Sequence, residues 1–179
     1  REVEEVIKDA RRLLEELRKH SEDEVRKVEE EIKRLRDDNK RAVDDIERLL
    51  RELEEANLPE DEVEKVVREI RERAKEIKKR HEDKLRELRK KLEEVKKKHK
   101  KLVDDIKTKL KRVRDELVRD RRAETKLEEL RRRLDEILRT TEELLRRLKR
   151  ELEKLSEESK ARLDELKRKL DEILKETRR

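Results

Sequence analysis

The histidines His20, His81 and His99 are the side chains of this sequence best suited to chemistry near neutral pH, because imidazole titrates there and the chain has no cysteine. A histidine could act as the base of a Ser–His pair or as one ligand of a zinc ion. His81 and His99 are 18 residues apart in the sequence, which corresponds to about five turns of helix. The residues that the helices place beside each histidine determine whether either kind of chemistry is possible.

The composition predicts an almost entirely helical chain. Of its 179 residues, 63% are Asp, Glu, Lys or Arg and 30% are hydrophobic, with no glycine, no aromatic residue and one proline. A globular enzyme would be nearer half apolar and would need glycines and aromatics. The charges are interspersed and leave a net charge of only +6, which argues against disorder. No apolar run approaches the roughly 18 residues that span a bilayer and no signal peptide is recognisable, so we expect a soluble chain of unknown localisation.

Two interruptions divide the predicted helices. In the stretch EEANLPEDEVEK, Asn57 suits the left-handed cap conformation, and Pro59 disfavours a helical Leu58. Near LVRDRRAETKL, Asp120 suits an N-cap, and a capping box that begins at Thr125 is the competing start. The predicted helices cover about residues 2–57, 60–118 and 121–178, in one domain that spans residues 1–179.

The core positions of the first helix recur in steps of 4, 3, 4, 3 and 4, which is 18 residues in five turns and is typical of nearly straight helices. Subtracting each position from 120 gives apolar residues and two histidines in the second segment. Subtracting those positions from 240 gives apolar residues, serine and threonine in the third. When two antiparallel helices pack side by side, the residue numbers of facing positions add to a constant. We therefore predict an all-α fold, a long straight antiparallel three-helix bundle with an 18-residue layer repeat and helices about 85 Å long. The first-helix series is Val3, Ile7, Ala10, Leu14, Leu17, Ser21, Val25, Val28, Ile32, Leu35, Asn39, Val43, Ile46, Leu50, Leu53 and Asn57.

Two predicted interior layers are polar throughout: Ser21, His99 and Thr141 form one, and Asn39, His81 and Ser159 form the other. A neutral imidazole has one donor and one acceptor nitrogen, so two hydroxyls can satisfy His99, and an amide with a hydroxyl can satisfy His81. Each layer is therefore interpreted as a closed buried hydrogen-bond network. Its purpose would be helix register, since a slip would bury unpaired polar groups at about 1–3 kcal/mol each.

Catalysis and metal binding are the alternative interpretations of these layers. Zinc prefers three or four His, Cys or carboxylate ligands, whereas each layer supplies one histidine and no acid. A Ser–His pair here would lack an orienting carboxylate, an oxyanion hole and a substrate pocket, because the neighbouring layers are filled with Leu and Val. We therefore predict no enzyme, no cofactor and no metal site.

The lysines around His99 in EEVKKKHKKLVDD look like a nucleic-acid patch when taken alone. They occupy positions outside the core series between acidic pairs, and no aromatic residue supports base contact, so the pattern favours a solvated face. Non-specific adhesion to polyanions stays open. His20 is also outside the series, and its partner in the sum of 120 is Lys100, so His20 is predicted to lie at the surface.

The whole chain resembles de novo designed helical bundles that are built from parametric equations and carry buried hydrogen-bond networks. The resemblance rests on the 18-residue layer cycle, the His81 and His99 layers, the surface saturated with Glu, Lys and Arg, and the compact NLPED loop. The second connection departs from that pattern because it lacks the usual Gly or Pro. The resemblance implies no evolved substrate or partner, and some members of this class with buried histidine networks are intended to disassemble on acidification.

Three hypotheses on function follow. The first is a designed monomeric scaffold with no natural biochemical function, no required partner, no specific nucleic acid and no membrane. The second is a pH-responsive bundle, in which protonation of buried His81 or His99 destabilises the core. The third is a natural coiled-coil spacer rod, against which the 3.6-residue cycle and the constant sums argue.

Overall fold

Three long helices make up the described chain. The computed structural model describes residues 2–116 and 121–178, and within those ranges it contains no strand and three helices, namely α1 (Glu2–Glu55), α2 (Glu60–Glu116) and α3 (Arg121–Thr177). The prediction of an all-α three-helix bundle is confirmed. Helix α1 ends two residues before the predicted boundary at residue 57, and α3 runs through Thr125, so the competing start there is wrong. The predicted turn at Asp120, the layer position Leu117 and the side chain of Val3 lie outside what the structure describes.

The connection between α1 and α2 follows the chemistry of its residues. Asn57 has a φ of 46°, which is the left-handed conformation predicted for it. The Pro59 carbonyl accepts hydrogen bonds from the backbone N–H groups of Glu62 and Val63, both at 3.0 Å, and these bonds begin α2. The first turn of α2 carries three acidic residues, whose charges are favourable at a helix N-terminus.

Burial in the described chain follows the predicted series. Every buried side chain among the described residues occupies a position of that series, with the exception of His20. Asn57, at the connection, is exposed, and the partly buried members are Ser21, Ala74, Ile77, Ile137 and Thr177. A stripe that keeps a 3.6-residue period faces the core continuously, so burial of its Leu, Ile and Val side chains is the main stabilising contribution.

The first of two compact units comprises Arg1–Glu30 and Lys90–Lys149 and contains parts of all three helices. Lys109 of α2 lies 3.9 Å from Asp9 of α1, and their numbers add to nearly 120, as antiparallel packing requires. The core of this unit contains Ile7, Ala10, Leu14 and Leu17 from α1, Val103, Ile106, Leu110 and Val113 from α2, and Leu127, Leu130 and Leu134 from α3.

The second compact unit comprises Glu31–Arg89 and Arg150–Arg179, again with parts of all three helices. Arg71 of α2 pairs with Asp171 of α3 at 2.5 Å, and these numbers add to nearly 240. Its core contains Val43, Ile46, Leu50 and Leu53 from α1, Val63, Val67 and Ile70 from α2, and Leu163, Leu166, Leu170 and Ile173 from α3. The assignment of residues 1–179 to a single domain stays a prediction.

Candidate functional site

The polar layer of the first unit contains a chain of hydroxyl hydrogen bonds between α1 and α3. The Thr141 hydroxyl donates to Ser21 Oγ at 2.9 Å, and the Ser21 hydroxyl donates to the carbonyl of Leu17 one turn earlier, also at 2.9 Å. Thr141 is buried and Ser21 is half-buried. Both hydroxyl protons are therefore used within this chain of bonds, and neither is donated to the histidine of the layer.

His99 is buried in the first unit with its polar atoms unmatched. It is 4% exposed, and neither Nδ1 nor Nε2 has a hydrogen-bond partner among the described residues. A buried polar group without a partner costs about 1–3 kcal/mol, so His99 lowers the stability of its own layer. The structure joins Ser21 to Thr141 but gives neither a bond to His99. The closed network around His99 stays a prediction.

His20 is a core residue, so its predicted position at the surface is wrong. It is 6% exposed, and its Nδ1 has no partner among the described residues. Position 20 follows Leu17 by three residues, which places it on the same face of α1 as the core series. The neighbouring series position is the small Ser21, so more of the adjacent volume is left for an imidazole. The three-residue spacing from Leu17 could have indicated that His20 is buried. The prediction instead relied on its partner in the sum of 120, Lys100, which is a surface residue.

Burial sets the protonation of both histidines in the first unit. Burial lowers the pKa of His99, the charge that His20 can carry lowers it further, and Glu142 acts in the opposite direction. Burial also lowers the pKa of His20, with Lys98 adding to the effect and Glu24 opposing it. Because desolvation disfavours the charged form, both imidazoles are neutral at pH 7.

The polar layer of the second unit is more loosely connected. Ser159 Oγ donates to Asn39 Oδ1 at 3.4 Å, near the upper limit for a hydrogen bond. His81 is 5% exposed, and neither of its ring nitrogens has a partner among the described residues. Burial lowers the pKa of His81, while the backbone of Leu155 and the charge of Glu82 act in the opposite direction. The predicted network of Asn39, His81 and Ser159 is thus joined at one contact and stays a prediction as a whole.

The chemistry available to these layers is limited by their hydrogen bonds. The Ser21 hydroxyl donates to a backbone carbonyl rather than to an imidazole, so Ser21 is not paired with a base for nucleophilic attack. In the part of the chain that the structure describes, no group of three or more His or acidic side chains is arranged to hold a metal ion. What the layers offer, together with the neighbouring His20, is three buried, neutral imidazoles whose protonation would bring charge into the core.

The lysine run around His99 faces solvent. Its members are all exposed: Lys96, Lys97, Lys98, Lys100 and Lys101. Because His99 is buried between exposed neighbours, this stretch of α2 presents one residue to the core and its cations to water. Among the described residues, no helix has a stretch that is both long and apolar enough to cross a membrane.

Comparisons with known proteins support the fold. A solved structure described as "Computationally designed three helix bundle" matches with a TM-score of 0.52 and 17% sequence identity, over 98% of this chain and 87% of that one. At this identity the likeness concerns the fold alone. No protein-family model matches the sequence, and no curated protein matches it.

Proposed function

We propose that this chain is a designed structural scaffold without enzymatic activity, whose two polar layers set the register of its helices. The observation that carries the proposal is a repeated offset. Thr141 pairs with Ser21 in the first unit and Ser159 with Asn39 in the second, and each pair is separated by 120 residues. The solved structure with the same fold is itself described as computationally designed, which supports such an origin for this chain.

The apolar layers are too similar to one another to determine the register of the helices. A shift of α3 by one step of the series would still place Leu or Ile against Leu, Ile or Val at most positions. The same shift would separate Thr141 from Ser21 and Ser159 from Asn39 and leave their polar atoms against apolar neighbours. At about 1–3 kcal/mol for each unpaired buried group, the two layers together would disfavour a slipped arrangement by several kcal/mol.

The test of this function replaces both layers with apolar residues. The variant carries Ser21→Val, His99→Leu, Thr141→Val, Asn39→Leu, His81→Leu and Ser159→Ala. We expect it to melt at a higher temperature, because unpartnered polar atoms leave the core, but to form a mixture of oligomers in place of one monomer. The measurement is light scattering coupled to size-exclusion chromatography, beside a thermal melt. A variant that stays uniformly monomeric, with the same NMR contacts between α1 and α3 as the parent, would show that the layers do not determine register.

A second candidate function is a response to acid. Three buried histidines, His20, His81 and His99, have a pKa below the ordinary value of 6.5, with burial as the largest cause in each. Protonation would turn an acceptor nitrogen into a donor and place a charge in an apolar core. The urea midpoint of unfolding, measured as a function of pH, distinguishes this function from a scaffold that is insensitive to acid.

A further inference from the structure

A groove in the first unit is lined by residues of α2 and α3, and the buried side chain of His99 forms part of its wall. Its volume is about 450 Å³, within the roughly 300–1,000 Å³ of small-molecule sites. Leu92 and Val103 of α2 and Leu138 and Leu145 of α3 supply its apolar lining. Three other cavities in the described chain hold about 170, 190 and 210 Å³, and these three fall below that range.

The groove is elongated along the helices. Its lining on α2 extends from Leu92 to Lys107 and on α3 from Leu138 to Lys149. At a rise of 1.5 Å per residue, these segments are about 22 Å and about 16 Å long. A groove that follows the helix axes over this length suits a linear alkyl chain better than a compact ring system.

The rim of the groove favours a negative charge. Its basic residues are Lys96, Lys100, Lys107, Arg146 and Lys149, and its acidic residues are Glu93, Asp104 and Glu142. The Arg146 guanidinium lies 4.0 Å from the Glu142 carboxylate, at the limit of an ion pair. The cations outnumber the acids, so the rim carries a net positive charge that complements a carboxylate.

His99 forms part of the wall of the groove. The side chain is 96% buried, lines the groove, and has no hydrogen-bond partner on either nitrogen among the described residues. Both ring nitrogens are covered by protein atoms, so the imidazole reports on the groove without donating into it. Lys96 and Lys100, three residues before and one residue after His99, stand on the rim beside it.

We propose that this groove binds a medium-chain fatty acid, with the carboxylate beside Lys96 and Lys100 and the alkyl chain along Leu92 and Leu145, toward one end of the groove. Apolar burial supplies the favourable free energy of the chain, and the lysine cations select the anionic head group. This site goes beyond the scaffold function, because its binding residues Lys96 and Lys100 lie outside the polar layers, although its wall shares His99 with one of them.

Titration of the folded protein with decanoate tests the site, with the ring signals of His99 followed by NMR. We expect saturable shifts of the His99 ring, and weaker shifts with decanol, which has the chain but no charge. The double variant Lys96→Glu and Lys100→Glu should weaken decanoate binding roughly tenfold. The matched control is Lys78→Glu with Lys79→Glu, which makes the same charge change at exposed positions of α2 that line none of these cavities.

All four substituted lysines are exposed, so the variants should retain the parent's circular dichroism and melting temperature. Equal decanoate affinity in the two double variants would overturn the proposal, as would decanol binding as tightly as decanoate. Shifts confined to residues away from His99, or no saturable shift at all, would also overturn it.

Discussion

Thr141 on α3 donates a hydrogen bond of 2.9 Å to Ser21 on α1, 120 residues earlier in the chain. The same offset separates Ser159 from Asn39 in the second unit. The sequence predicts that each core position of α1 faces the position 120 residues later on α3. The two hydrogen bonds follow this offset at the two polar layers.

Replacing Thr141 with valine should lower the free energy of unfolding by about 1 kcal/mol, because the Ser21 oxygen loses its donor within the core. Urea unfolding followed by circular dichroism measures this change. The matched control is Thr140→Val, since Thr140 is exposed and its hydroxyl bonds only the Glu136 carbonyl of its own helix. Equal effects of the two substitutions would mean that the bond between α1 and α3 contributes nothing to stability.

Acid should destabilise the fold in the range where the histidines titrate. The pKa values of His20, His81 and His99 lie below the ordinary 6.5, so the unfolded chain binds more protons than the folded one as the pH falls below that value. The stabilising contribution is therefore complete above about pH 6.5 and is lost as the pH falls toward and through the lowered folded values. Urea midpoints measured from about pH 7 to about pH 4 report this loss.

Carboxylates contribute to acid sensitivity in a lower range. Hydrogen bonds from Arg18 and Arg162 lower the pKa values of Glu15 and Asp44 from their ordinary 4.5 and 3.8, so their contributions are present above those values and are lost at lower pH. Loss of stability between about pH 6.5 and about pH 4.5 therefore belongs to the histidines. A variant with all three histidines replaced by leucine should show a flat midpoint there, and a flat midpoint in the parent would exclude the acid response.

His20 should influence the titration of His99. The charge that His20 acquires on protonation lowers the pKa of His99, so His20→Leu should make the His99 imidazole titrate at a higher pH. NMR titration of the His99 ring protons measures the shift, with Lys19→Leu as a control at an adjacent exposed position. An unchanged His99 titration in His20→Leu would place the two rings too far apart to interact.

Arg162 should stabilise the second unit more than an ordinary surface arginine. Its guanidinium on α3 bonds Asp44 at 2.8 Å and Glu47 at 3.3 Å, both on α1. Because the site is partly exposed, we expect Arg162→Ala to cost about 1 kcal/mol in urea unfolding. Arg168→Ala is the control, since Arg168 pairs with Glu165 of its own helix and is 71% exposed. A loss in Arg168→Ala as large as that in Arg162→Ala would argue against a bridging role.

The sequence was sufficient to predict the helices and the buried positions, because a stripe of Leu, Ile and Val with a 3.6-residue period has one way to face a core. The left-handed Asn57 was predictable for a local reason, because asparagine tolerates that conformation at the end of a helix and Pro59 keeps the intervening Leu58 out of a helix. His20 was not, since burial of a residue at the stripe's edge depends on how much room its neighbours leave. The direction of the Ser21 hydroxyl was equally hidden, because a hydroxyl can bond either its own helix or the facing one.

The most direct test of the 120-residue alignment uses two introduced cysteines, since the chain has none of its own. The hydroxyl oxygens of Ser21 and Thr141 are 2.9 Å apart, so Ser21→Cys with Thr141→Cys should form a disulfide within one chain under mild oxidation. Ser21→Cys with Leu148→Cys, displaced by two layers, should not. Mass spectrometry and gel mobility distinguish the products. A disulfide between chains, or equal cross-linking of the displaced pair, would contradict the proposed register.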